Sequence, residues 1–148
     1  MYSGLLHSHS LLRWLALVAI IVAISRAYSG LARRRSFTGR DNMWSLLTLI
    51  FFHLQLVIGF VLYFTQGWHL RIGEMANATA RFFALEHTVG MLVAIALVTV
   101  GRVSAKKVSD DRRKHKRHFA YFLIALIIAI VSIPWPFREV SRSWFPGL

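Results

Sequence analysis

Three histidines hold most of the chemistry this chain can perform away from water: His9, His53 and His87. Each sits in a stretch of apolar residues. Arg13 follows His9 by four residues, one helical turn, and Glu86 stands directly before His87. Ionisable groups in such stretches are costly to bury and by default mark a function or a specific partner. A neutral imidazole can ligate a metal, carry a proton or bond a neighbouring helix. The chain has no cysteine, which excludes disulfides, iron–sulfur clusters, thiolate zinc sites and covalently attached haem. It also contains no HExxH, no glycine-rich phosphate loop and no serine–histidine–carboxylate motif.

These groups are positioned by apolar helices. The chain has 148 residues, 56% of them hydrophobic, and a mean hydropathy of +0.53. That is one domain's worth of chain, too apolar for an ordinary soluble domain. Runs of about 20 apolar residues signal membrane spans. Four occur, at roughly 4–25, 44–66, 81–101 and 118–133. The fold expected is all-α, an integral membrane four-helix bundle.

The net charge of +12 is unevenly placed. Thirteen of the 18 basic residues fall in the two segments after the first and third runs, at 26–40 and 102–117. Both segments lie on one side of a four-span chain, and the positive-inside rule makes that side cytoplasmic. The termini are then outside (N-out, C-out), and the setting is the inner membrane of a bacterium. The partner this charge implies is a lipid bilayer, not nucleic acid. Arg33, Arg34 and Arg35 read as a solvated cluster facing headgroups. The first run lacks a basic leader and a small-residue cleavage site, so it reads as a retained helix.

Depth narrows the pairing of the histidines. At 1.5 Å per residue His9 lies ~7 Å and His87 ~9 Å from the outer surface, whereas His53 lies ~20 Å from it. Haem b is the cofactor that fits best: it needs one or two imidazoles from facing helices and cations for its propionates. Arg13, Arg71, Arg81 and His69 stand near the outer end for that purpose. His87 ranks first as axial ligand, with His9 or His53 as its partner. Glu86 is expected either to neutralise Arg13 across the bundle or to orient an imidazole N–H. Two other readings stay open. The histidines could be interhelical hydrogen bonds in a non-catalytic accessory or assembly subunit, or His7, His9 and His87 could bind copper.

Local signals complete the frame. Asn77 or Thr79 is expected to cap the third helix. A turn is expected at 109–111. Pro134 and Pro136 end the fourth helix, which reads as scaffold without deep ionisable groups.

The stretches His7-Ser8-His9-Ser10-Leu11-Leu12-Arg13-Trp14, His53-Leu54-Gln55-Leu56-Val57-Ile58-Gly59, Arg81 through Met91 and Ser132 through Arg138 together resemble a family of small bacterial four-span membrane proteins labelled cytochrome b-like. The resemblance runs over nearly the whole chain. It implies a helical membrane bundle with a redox role, in which His9, Arg13, His53, Glu86 and His87 fall in the matching motifs. Larger respiratory cytochromes b use four deep histidines for two stacked haems. This chain offers three at most, so one haem is the expectation, with single-electron traffic linked to the quinone pool and to other redox subunits.

Overall fold

The computed structural model describes residues 2–140 and 143–144. Four long helices account for most of them: α1 (Tyr2–Ala32), α2 (Gly39–Thr65), α3 (Ala78–Lys106) and α4 (Asp111–Ser132). Among the described residues there is no strand. All four helices are long and apolar enough to cross a membrane. They extend beyond the apolar runs, because charged residues such as Arg26 and Arg113 mark the end of apolar sequence but not of helix. Each helix packs on its chain neighbour, and α1 closes the ring against α4. Thus α1 and α3 face each other across the bundle.

Small residues crowd the interior: Ala16, Ala19, Ala23 and Ala27 on α1, Ala94, Gly101 and Ala105 on α3, Ala125 and Ala129 on α4. Ile20, Phe52, Val98 and Phe122 fill the space between them. Other large apolar side chains point outward, among them Leu11, Val18, Val57, Val89, Ile127 and Val131, each more than half exposed. Small inner residues let backbones approach closely, as in helix pairs that associate in lipid.

Each connection has a local cause. Arg34 adopts a left-handed conformation (φ 51°), and the Arg35 amide turns back to the Gly30 carbonyl, so α1 ends in a Schellman-type turn. Asp41, in the first turn of α2, accepts from the Thr38 amide at 2.8 Å. Asn77 caps α3 by accepting from the Ala80 amide, and Asp110 caps α4 by accepting from the Arg113 amide.

The basic end is clamped by buried polar groups that composition had suggested would be solvated. The Asp41 side chain is 3% exposed and receives Arg26 at 2.9 Å and Arg35 at 2.6 Å. Arg35 therefore does not stand in solvent with Arg33 and Arg34. Arg102 donates to Ser45 Oγ at 2.9 Å, and Ser45 lies 2.7 Å from His118 Nε2. His118 Nδ1 is 3.0 Å from the Lys114 carbonyl. A carbonyl only accepts, so Nδ1 carries the proton and Nε2 accepts from Ser45. The fourth helix thus holds two buried imidazoles, His118 and the fully buried His115.

Candidate functional site at the histidine end of the bundle

The site forms around His87, and an irregularity in α3 presents it. After one α-helical turn the helix widens into a π-turn over Phe82–Glu86. The His87 amide bonds to the Phe82 carbonyl, and Thr88 Oγ1 donates to the Phe83 carbonyl at 2.9 Å. A π-turn adds a residue to the helical repeat and re-aims the side chains around it; such turns recur at functional sites. The Ala84 carbonyl, inside the widened turn, accepts from the Tyr63 hydroxyl of α2 at 3.2 Å.

The end of α4 sets the imidazole's tautomer. Pro136 has no N–H for the Ser132 carbonyl, and Pro134 has none for Ile130, which keeps the Ile133 amide at 3.4 Å. Side chains add donors to both. Trp135 Nε1 donates to the Ile130 carbonyl at 2.8 Å, and His87 Nδ1 donates to the Ser132 carbonyl at 2.7 Å. With its proton fixed on Nδ1, the ring carries its lone pair on Nε2. Metal-binding histidines are usually held in this way by a carbonyl or carboxylate on the other nitrogen.

His9 on α1 approaches from across the bundle. The two ring centroids are 6.4 Å apart and the planes are inclined by 72°. Gly59 makes room for His9, since a Cβ there would come within 3.3 Å of its Cε1. Gln55 Nε2 donates to the His9 carbonyl at 3.0 Å and ties α2 to α1 at that level. A cavity of about 160 Å³ adjoins both imidazoles. Arg13, Gln55, Gly59 and Met91 share its wall.

The other residues singled out by sequence are distributed as follows. His53 is half-buried, does not border the cavity, and bonds through Nδ1 to the Leu49 carbonyl of its own helix at 2.8 Å. Arg13 donates to Ser10 Oγ at 3.2 Å and to the Trp144 carbonyl at 2.8 Å, and its guanidinium lies 5.3 Å from the Trp14 ring. No carboxylate among the described residues pairs with it. Both expectations for Glu86 fail. It faces outward and pairs with Arg81 at 2.9 Å, neither neutralising Arg13 nor reaching an imidazole. That separation follows from position, since neighbours on a helix point ~100° apart.

Arg71 is likewise engaged, with Glu74 at 2.6 Å. The hydrogen bond from Arg71 holds the Glu74 carboxyl below its ordinary range. Arg71 and Arg81 therefore already have carboxylate partners, and of the arginines named for the outer end Arg13 borders the cavity without one. His69 is half-buried, its ring 5.1 Å from Phe64. No group of three metal-ligating side chains assembles among the described residues, so His7, His9 and His87 do not form a copper site.

The two imidazoles, on helices that face each other across the bundle, are the residues that would hold an iron porphyrin. The fixed tautomer of His87 and the cation of Arg13 suit the same ligand. The void itself is below the ~300 Å³ typical of small-molecule sites. A porphyrin would therefore seat only with outward movement of bordering side chains such as Leu56, Phe60 and Leu92. No protein-family model, characterised protein or solved structure matches the chain.

Proposed function

We propose that this chain is a multi-pass membrane protein of the b-type cytochrome kind, holding one haem b between His9 of α1 and His87 of α3. The observation that carries the reading is the close approach of the two rings, edge to face with centroids 6.4 Å apart, with the proton of His87 fixed on Nδ1 by the Ser132 carbonyl. Arg13 is the residue placed to meet a propionate. Bound there, the haem would supply one-electron chemistry. The chain's own part is to fix the ligand rings, place the cation and close the site to water. By the positive-inside rule the basic connections face the cytoplasm, both termini face out, and the haem lies toward the outer leaflet of a bacterial inner membrane. A quinol and an outer acceptor are the redox partners such a position suits.

A second reading has its own support. His87 and His53 each bond to a backbone carbonyl, and the void is smaller than a macrocycle, as befits an accessory subunit whose histidines are structural. One measurement separates the two. The protein is expressed with ample haem, purified, and its absorption recorded oxidised and then reduced. Sharp α and Soret bands of a six-coordinate low-spin haem, at one per chain, are expected. Their absence would leave the accessory reading standing.

A further inference from the structure

At the opposite end from the histidine pair, α1 and the start of α2 enclose a second, open recess. Its polar rim is formed by Arg26, Arg35 and Arg40 with Ser29, and its apolar floor by Ile21 and Val22. Two of these arginines are pinned in place. Arg26 and Arg35 both grip Asp41, whose side chain is 3% exposed and lies behind the rim. Arg35 also donates to the Arg26 carbonyl at 2.9 Å. Three guanidinium groups set against one carboxylate leave the recess with two positive charges in excess. Arg40 is exposed and makes no hydrogen bond or ion pair among the described residues. Ile21, at the other edge, is 49% exposed and continues the outward apolar face of α1.

We infer that this recess binds the phosphodiester headgroup of an anionic glycerophospholipid of the phosphatidylglycerol type, with an acyl chain running along Ile21 and Val22. Basic pockets between helices at the cytoplasmic end of a bundle take such headgroups. Arg35 spends both terminal nitrogens on Asp41 and on the Ser36 and Arg26 carbonyls, so the planar guanidinium of Arg40 and the terminal nitrogens of Arg26 are the donors left for phosphate oxygens. Pinning Arg26 and Arg35 on Asp41 removes part of the entropy that a loose arginine would lose on binding. The apolar floor is what separates a lipid from free phosphate, which shares the anionic chemistry but has nothing to lay on Ile21. The inference does not depend on whether haem is bound.

The test uses the full chain in detergent micelles. Native mass spectrometry counts retained ligand while phosphatidylglycerol, phosphatidylcholine or inorganic phosphate is titrated. One retained phosphatidylglycerol per chain is expected at concentrations where phosphatidylcholine is not held. Arg40→Gln leaves the Asp41 pairs intact and should weaken retention about fivefold, the effect of one basic residue near an anionic surface. Arg112→Gln removes an exposed charge from the start of α4 that does not line the recess, and should leave retention unchanged. Equal loss in the two variants would mean diffuse charge attraction and would overturn the site. Equal retention of phosphatidylcholine, or inorganic phosphate competing at concentrations equal to the lipid's, would overturn it as well.

Discussion

His87 Nδ1 lies 2.7 Å from the carbonyl oxygen of Ser132, on the neighbouring helix. Ser132 is the last residue of α4, so its oxygen has no amide to receive within its own helix, and Pro136 brings it none. An open carbonyl at the end of one helix thereby decides which nitrogen of a histidine on another carries the proton. The following expectations rest on this and on the other contacts described above.

If His9 and His87 are the axial pair, replacing either by alanine should remove the low-spin spectrum or convert it to a five-coordinate form. His53→Leu should leave the spectrum as it is, since His53 does not border the cavity. Optical spectra of the three variants, normalised to haem content, check this. A change confined to His53→Leu would point to a different pair.

Gly90 should resist enlargement. A Cβ there would run into Ser132 Oγ and come within 2.9 Å of Ser132 Cβ. Gly90→Ala should lower stability by about 1–3 kcal/mol, the usual cost of overpacking, read as a lower melting temperature in detergent. Ser132→Ala in the same background removes the nearest atom and should recover part of the loss while keeping the carbonyl that His87 uses.

Ser45→Ala should be among the more harmful single-atom deletions in the chain. The hydroxyl accepts from Arg102 and donates to His118, and all three residues are buried. Leaving two buried polar groups short of a partner costs about 1–3 kcal/mol each in general. Thermal melting checks it, and Ser45→Thr, which keeps the hydroxyl, should lose less.

Gly30 and His115 should be coupled. A Cβ on Gly30 would overlap the His115 ring, which is fully buried. Gly30→Ala should destabilise the wild-type background. It should cost much less after His115→Ala, where the ring is gone. A double-mutant cycle with coupling near zero would contradict the packing.

Arg34→Gly should be neutral or stabilising by up to about 1 kcal/mol. Arg34 is the non-glycine residue with positive φ among the described residues, at the position where helices favour glycine. A melting temperature several degrees lower would show that its side chain contributes more than the backbone strain costs.

Sequence reading reached the architecture and the level of the site by different routes. The four helices are legible because about 20 apolar residues in a row have few alternatives. Counting rise per residue set His9 and His87 at nearly the same depth and His53 far below. In the structure the first two rings meet edge to face and His53 bonds to its own helix. The π-turn before His87 escaped, because Phe82–Glu86 has no glycine or proline to mark it. Gln55 and Ser132 escaped as well: one acts through an amide reaching another helix's backbone, the other through a carbonyl that every residue has. The clamp at the basic end was misjudged for a physical reason. A charge near a helix end reads as solvated, and only the fold shows that Asp41 turns inward to Arg26 and Arg35, and Arg102 to Ser45 and the Asn42 carbonyl.

The two facing imidazoles belong to helices that are first and third in the chain, on opposite corners of the ring of four. During synthesis the first of these helices emerges with half of the grip and must wait through all of α2. Nothing can be held between the two rings until α3 is in place, and the oxygen that fixes its histidine arrives only with α4. Any guest of this cavity is therefore received only once all four helices have come together.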